Sequence, residues 1–93
     1  MSVKITATAP TVYQKRSLSF FNLNEVNNGN GSFTGTMNFA SEEDAKDYLI
    51  SRAEMYYDEY EGQVEEHIQD IEKYGVLTID AVTARIEEIE DEE

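Results

Sequence analysis

The chain has no cysteine and only one histidine, so two common kinds of chemical site are missing from the outset. Without cysteine there are no disulfides, no thiolate chemistry and no cysteine-based zinc site. A single imidazole, at His67, cannot build a histidine-rich metal centre by itself. We expect no cofactor and no metal site.

Long apolar runs are missing too. No segment approaches the roughly 18 consecutive apolar residues that a membrane-spanning helix needs. Residues 1–7 contain no apolar stretch of signal-peptide length. We therefore expect a cytoplasmic protein that does not enter a membrane.

Recognisable catalytic patterns are absent as well. No serine or cysteine arrangement points to His67, and carboxylates are too frequent to single out an acid–base pair. Gly29, Gly31 and Gly35 lack the Lys-Ser/Thr pair of a phosphate-binding loop. Residues 58–62 do not place oxygen ligands at the spacing of an EF-hand. The sequence predicts a protein that is not an enzyme.

The chain does have enough apolar material for one folded domain. Its 93 residues are 40% apolar, which suits a single modest core spanning residues 1–93. The patterns below predict the α+β class, with an antiparallel β-sheet packed against one long and one shorter acidic helix.

The first half of the chain predicts strands. Residues 3–9 alternate between apolar and small polar types, as in a half-buried strand. Residues 17–39 predict a β-hairpin, with one strand over 17–23 and the other over 32–39. The Asn- and Gly-rich segment 27–31 between them is typical of a tight turn, because both residue types tolerate positive φ.

The second half predicts helices. Ser41 followed by three acidic residues favours a helix start, and apolar residues spaced three and four apart extend the helix over 41–61. This apolar stripe is expected to pack on the hairpin. Gly62 is predicted to break the helix, and a second helix is predicted over 64–74.

The segment 76–86 fits two structures. Six of its eleven residues are β-branched, which favours a strand, whereas the spacing of Ile79, Val82 and Ile86 would also suit a helix. We predict a strand and keep the helix as the alternative. Residues 87–93 hold six acids and are predicted to fray.

Charge is distributed very unevenly along the chain. The formal net charge is −13. Residues 1–40 carry three basic residues and one acidic residue, whereas residues 41–93 carry 19 acidic against four basic residues. Such a surface attracts basic partners and repels nucleic acid, so we expect no direct nucleic-acid binding.

The candidate binding residues are the carboxylates predicted to lie away from the apolar helix stripes, together with one tyrosine. They are Glu43, Asp47, Glu54, Tyr57, Asp58, Glu59, Glu61, Glu65, Glu66 and Asp70. Like charges at this spacing cost a helix a few tenths of a kcal/mol per pair, so their retention suggests that the negative field is used. Tyr56 and Tyr60 are predicted to pack in the core or at its boundary, and Tyr57 to face a partner.

In character, the sequence resembles the small, acidic, cysteine-free inhibitors that phages encode against host defences, of the DNA-mimicking anti-CRISPR and anti-restriction type. The resemblance covers size, charge, a hairpin followed by the acidic helix start at 41–45, and the Tyr- and acid-rich segment 56–61. No specific motif carries it. It implies an inhibitor that occupies the basic DNA- or RNA-binding surface of a nuclease or effector complex in the host cytoplasm.

A second hypothesis is a phage accessory or structural interaction protein. It would form homo-oligomers through aromatic residues of the sheet, namely Tyr13, Phe20, Phe21 and Phe33.

Overall fold

The computed structural model describes residues 2–57 and 63–89, which contain five strands and three α-helices. The strands are β1 (Val3–Ala9), β2 (Asn24–Asn27), β3 (Phe33–Phe39), β4 (Val76–Ile79) and β5 (Val82–Glu88). The helices are α1 (Lys15–Phe20), α2 (Glu42–Tyr57) and α3 (Gln63–Tyr74), with a 3₁₀ turn at Val12–Gln14 before α1. The predicted α+β fold is confirmed.

The strand β1 lies at the centre of a single sheet with the order β2-β3-β1-β5-β4. All four pairings are antiparallel. Alternate residues of β1, from Val3 to Ala9, are buried on one face, and Lys4, Thr6 and Thr8 lie on the other. We call the second face, formed by these three residues and those paired beside them, the open face.

The first predicted strand of the hairpin, over 17–23, is wrong. Residues 15–20 form α1, because Leu18 and Phe21, three residues apart, are both fully buried. The true hairpin joins β2 to β3 over residues 24–39. Its turn lies in the predicted Asn- and Gly-rich segment, where Gly29 and Gly31 take φ of 89° and 90°.

The end of α1 depends on side chains from α2. Asn22, at φ 57°, ends the helix in the left-handed conformation that Asn tolerates. The Tyr48 hydroxyl donates to the Phe21 carbonyl at 2.6 Å, and the Arg52 guanidinium donates to the Phe20 carbonyl at 3.1 Å. Carbonyls that a helix end leaves without a partner are thus satisfied by the neighbouring helix.

The segment 76–86, which was predicted as one strand, forms two strands joined by a turn. Its β structure is confirmed, but the prediction of one continuous strand is wrong. Asp80, at φ 55°, lies in the turn that separates β4 from β5. The strand β5 also continues through Glu87 and Glu88, which pair with β1 instead of fraying. The Ile89 amide donates to the Ser2 carbonyl at 3.0 Å. Residues 90–93 of the predicted frayed tail lie outside the described residues.

All three helices cover the same face of the sheet. Ala45, Leu49 and Ala53 form the buried stripe of α2, and Ile71 is the fully buried residue of α3. The predicted second helix over 64–74 is confirmed with one more residue at its start. The end of the predicted helix 41–61 after Tyr57, and the break at Gly62, lie outside the described residues.

A close approach between α1 and the sheet occurs at Gly35, which is buried on β3. A Cβ added there would lie 3.0 Å from the Leu23 Cβ and 3.3 Å from a Leu18 methyl group. Glycine therefore lets the segment after α1 pack directly on the strand.

We expect Gly35→Ala to lower the free energy of unfolding by about 1–3 kcal/mol, because the added methyl group overpacks this contact. Thr36→Ala, one residue along on the open face, is the matched control and should change it by less than about 1 kcal/mol. Urea unfolding followed by circular dichroism measures both. Equal effects of the two variants would contradict close packing at Gly35.

Candidate partner-binding surface

The helix α2 starts with concentrated negative charge. The Ser41 hydroxyl accepts a hydrogen bond from the Asp44 amide at 3.1 Å, as a helix cap does. Glu42, Glu43 and Asp44 fill the first turn, where the positive end of the helix dipole stabilises anions. The predicted helix start at Ser41 is confirmed.

The candidate carboxylates of α2 share one side of the helix. Glu43, Asp47 and Glu54 are all exposed. At 100° per residue they fall within a sector of about 40°, on the side opposite the buried stripe. Glu43 and Asp47 are four residues apart, which puts their Cβ atoms about 5–6 Å from each other.

The candidate carboxylates of α3 are divided between two sides. Glu66 and Asp70, four residues apart, share one side, whereas Glu65 lies about 140° around the helix from Asp70. All three are exposed. We call Glu43, Asp47, Glu54, Glu65, Glu66 and Asp70 together the acidic face.

The helices α2 and α3 run antiparallel beside each other. The Lys46 ammonium near the start of α2 donates to the Glu72 carbonyl near the end of α3, at 3.0 Å. At the other end of the contact, the rings of Tyr57 and His67 stack with centroids 3.8 Å apart. This packing places the acidic residues of both helices in the helical layer that covers the sheet.

The basic residues in this layer are mostly engaged within the chain. Lys46 lies 3.4 Å from Glu42 as well as bonding the Glu72 carbonyl. Arg52 bonds the Phe20 carbonyl and lies over the Phe20 ring, 5.3 Å from its centroid. In the described part of α2 and α3, the Lys46–Glu42 contact is the only ion pair. The acidic face therefore keeps most of its charge.

Tyr57 packs inside the chain more than the sequence suggested. It is partly buried, its ring stacks on His67, and its hydroxyl donates to the Thr78 carbonyl at 2.7 Å. Burial raises the pKa of the Tyr57 phenol, and the nearby Tyr56 and Asp80 raise it further. Tyr56 is the more exposed of the two, with 39% of its surface accessible.

Three of the candidate residues, Asp58, Glu59 and Glu61, lie outside the described residues, as does Tyr60. The other seven are all described, and the six carboxylates among them are all exposed. Glu43, Asp47 and Glu54 share one side of α2, Glu66 and Asp70 share one side of α3, and Glu65 lies on another side of α3. Tyr57, the last residue of α2, lies at the edge of the acidic face and contacts His67 of α3 and Thr78 of β4.

Sequence reasoning missed a cleft between α1, the end of α2 and the turn that joins β4 to β5. It has a volume of about 400 Å³ and is lined by Arg16, Ser17, Phe20, Tyr56 and Asp80. The Ser17 hydroxyl donates to the Asp80 carboxylate at 2.7 Å. Because residues 17–23 were predicted as a strand, nothing in the sequence pattern suggested that Ser17 and Asp80 would meet.

Comparisons add no relative to these observations. No protein-family model, no curated protein and no solved structure matches the chain. Among the described residues there is no group of three or more His, Cys, Asp or Glu arranged to hold a metal ion. In the same part of the chain, every helix is too short or too polar to span a membrane.

We expect Tyr57→Phe to cost about 0.5–1 kcal/mol of stability at neutral pH, through loss of the hydrogen bond to Thr78. Because the native pKa is raised, protonated Tyr57 contributes its full stability below about pH 10, and this is lost as pH rises through the native pKa. The wild type should therefore lose stability more steeply than Tyr57→Phe above pH 10.

Tyr13→Phe is the matched control, since Tyr13 is 88% exposed. Thermal unfolding between about pH 7 and pH 11 measures all three proteins. Identical slopes above pH 10 for the wild type and Tyr57→Phe would contradict the assigned role of the phenol.

Proposed function

We propose that this chain is a non-enzymatic inhibitor that occupies the basic DNA- or RNA-binding surface of a partner protein. The partner would be a nuclease or effector complex, such as a CRISPR effector or a restriction nuclease. An inhibitor of the kind that phages encode would act in the cytoplasm of the host cell. The observation that carries the proposal is the gathering of carboxylates on one helical layer.

The charge of that layer supports the proposal. The helices α2 and α3 contain nine acidic and three basic residues. Two of the three cations, Lys46 and Arg52, bond backbone carbonyls within the chain. In contrast, the open face carries Lys4 and Arg85 against Glu87. Negative charge is thus concentrated on one side of a slab whose thinnest extent is 16 Å.

The density of charge is close to that of a nucleic-acid strand. The 16 residues of α2 span about 24 Å, and a net charge of −6 over that length is one charge per about 4 Å. One DNA strand carries a charge per about 3.4 Å, and a duplex one per about 1.7 Å. The layer therefore imitates a single strand better than a duplex.

Binding of this kind would inhibit by exclusion. A basic groove built for phosphates would attract the acidic face over a long range, and the carboxylates would replace phosphates as partners of its Lys and Arg side chains. The groove would then be closed to its nucleic acid. No chemical step is needed.

The alternative, a homo-oligomeric accessory protein held together by sheet aromatics, has less support. Phe21 is fully buried, and Phe20 and Phe33 pack against the core on the helix-covered side. Of the four aromatics, only Tyr13 is well exposed.

A cleavage assay tests the proposal. A panel of CRISPR effector complexes and restriction nucleases is given labelled DNA substrate and increasing amounts of the chain. We expect at least one enzyme to be inhibited at a near-stoichiometric ratio, and the inhibition to weaken as NaCl rises from about 50 to 300 mM.

The double variant Asp47→Asn/Glu54→Gln should raise the half-inhibitory concentration about tenfold or more, because it removes two charges from the acidic face. Glu87→Gln/Glu88→Gln removes the same charge from β5 and should leave inhibition within about twofold of wild type. No inhibition across the panel, or equal loss in both double variants, would overturn the proposal.

A further inference from the structure

The open face of the sheet carries a ladder of threonines. Thr34 pairs with Thr8, and Thr78 pairs with Thr83. Continuing the β1–β5 register by one step from Ala7 and Ala84 sets Thr8 beside Thr83. Four adjacent strands therefore present one row of threonines, and the Thr78 and Thr83 hydroxyls are hydrogen-bonded at 2.8 Å.

A second row lies beside the first. Thr36 pairs with Thr6, and Thr6 pairs with Arg85. The charged residues of this face are confined to one end, where Lys4, Arg85 and Glu87 lie in neighbouring positions. The threonine row itself has no charge.

This scarcity of charge contrasts with the rest of the molecule. Of the 28 residues in α2 and α3, 12 are charged. Exposed sheet surfaces commonly carry charges that oppose association between copies. Val26, at one edge of the threonine row, is 61% exposed and adds an apolar side chain beside Thr34. The described helices leave this face uncovered.

We propose that two copies of the chain associate through their open faces. Two sheets would stack about 10 Å apart, with threonine methyl groups meeting across a twofold axis. Both acidic faces would then point outward on opposite sides of the dimer. Their separation would exceed the Debye length of about 8 Å at physiological salt, which screens their repulsion.

The charges of the two faces favour contact between two open faces over contact between an open face and an acidic face. Two open faces, each with Lys4, Arg85 and Glu87, repel little. Seating an open face on the acidic face of another copy would desolvate many carboxylates against only two cations. That head-to-tail contact would also leave both ends free and grow into chains of copies.

The area of the open face sets the expected strength. Five strands at about 4.8 Å are about 24 Å wide, and the paired rows extend about 20 Å along them. Each copy then contributes about 500 Å², or about 1,000 Å² in total, below the 1,200–2,000 Å² of stable complexes. The dimer should therefore be weak, with a Kd on the order of 10–1,000 µM.

This proposal does not depend on the proposed inhibitory function, and its salt dependence runs the opposite way. Binding of the acidic face to a basic partner weakens as salt rises. Association through the open faces should strengthen, because salt screens the repulsion between two molecules that each carry a formal charge of −13. If either the inhibitory function or the dimer is disproved, the other proposal is unaffected.

Sedimentation equilibrium on the purified chain at about 10–500 µM, in about 50 and 500 mM NaCl, tests the association. We expect the apparent mass to rise from 10.6 kDa toward twice that value, to stop there, and to rise earlier at high salt. Thr8→Arg places a charge in the centre of the threonine row and should raise the Kd about tenfold or more.

Ser51→Arg is the matched control. It makes the same charge change at an exposed position of α2, and should leave the Kd within about threefold of wild type. Circular dichroism melts confirm that both variants fold. Because the chain has no cysteine, Thr8→Cys also gives a unique thiol, and a short bis-thiol crosslinker should join two copies of it but not of Ser51→Cys.

Three outcomes would overturn the proposal. The first is a mass of 10.6 kDa at every concentration and salt. The second is growth beyond two copies that weakens with salt, which is the signature of head-to-tail contact. The third is loss of association in Ser51→Arg but not in Thr8→Arg, which would place the interface on the helices.

Discussion

The one-sided burial of the sheet is the constraint on which the rest of the structure depends. Because β1 lies at the centre of the sheet and buries only alternate residues, one face must be covered and the other can remain in water. All three helices pack on the buried face, so the acids of α2 and α3 are collected on the outer side of that layer. The uneven charge along the sequence thus becomes an uneven charge in space.

Sequence periodicity predicted the secondary structure correctly wherever a segment fitted only one pattern. The strand β1, the helices α2 and α3 and the Asn- and Gly-rich turn were all predictable, because alternation, three- and four-residue spacing and turn chemistry each gave one answer. At residues 17–23 the short apolar spacing suited both strand and helix. Tyr48 and Arg52, which are distant in sequence, donate hydrogen bonds to the carbonyls at the end of that helix. The local sequence pattern gives no indication of these contacts.

The candidate surface was predictable to a similar degree. Helical spacing correctly placed Glu43, Asp47 and Glu54 away from the core, since exposure follows directly from the phase of the apolar stripe. The same reasoning predicted that Tyr56 packs at the core or its boundary and that Tyr57 faces a partner, whereas Tyr57 packs within the chain. Adjacent residues at a stripe boundary differ only in which neighbour they contact, and the sequence pattern does not give that neighbour. Tyr57 meets His67 and Thr78, both supplied by elements that come later in the chain.

The two outer strands of the sheet bear on how the chain behaves when it is abundant. Both β2 and β4 have only four residues, and the Tyr57 hydroxyl occupies a carbonyl of β4. Because these edge strands are short, and one carbonyl of β4 already accepts a hydrogen bond, few backbone groups remain for another strand to pair with. Fibril-like stacking is therefore disfavoured, so the folded chain can be concentrated without pairing edge to edge.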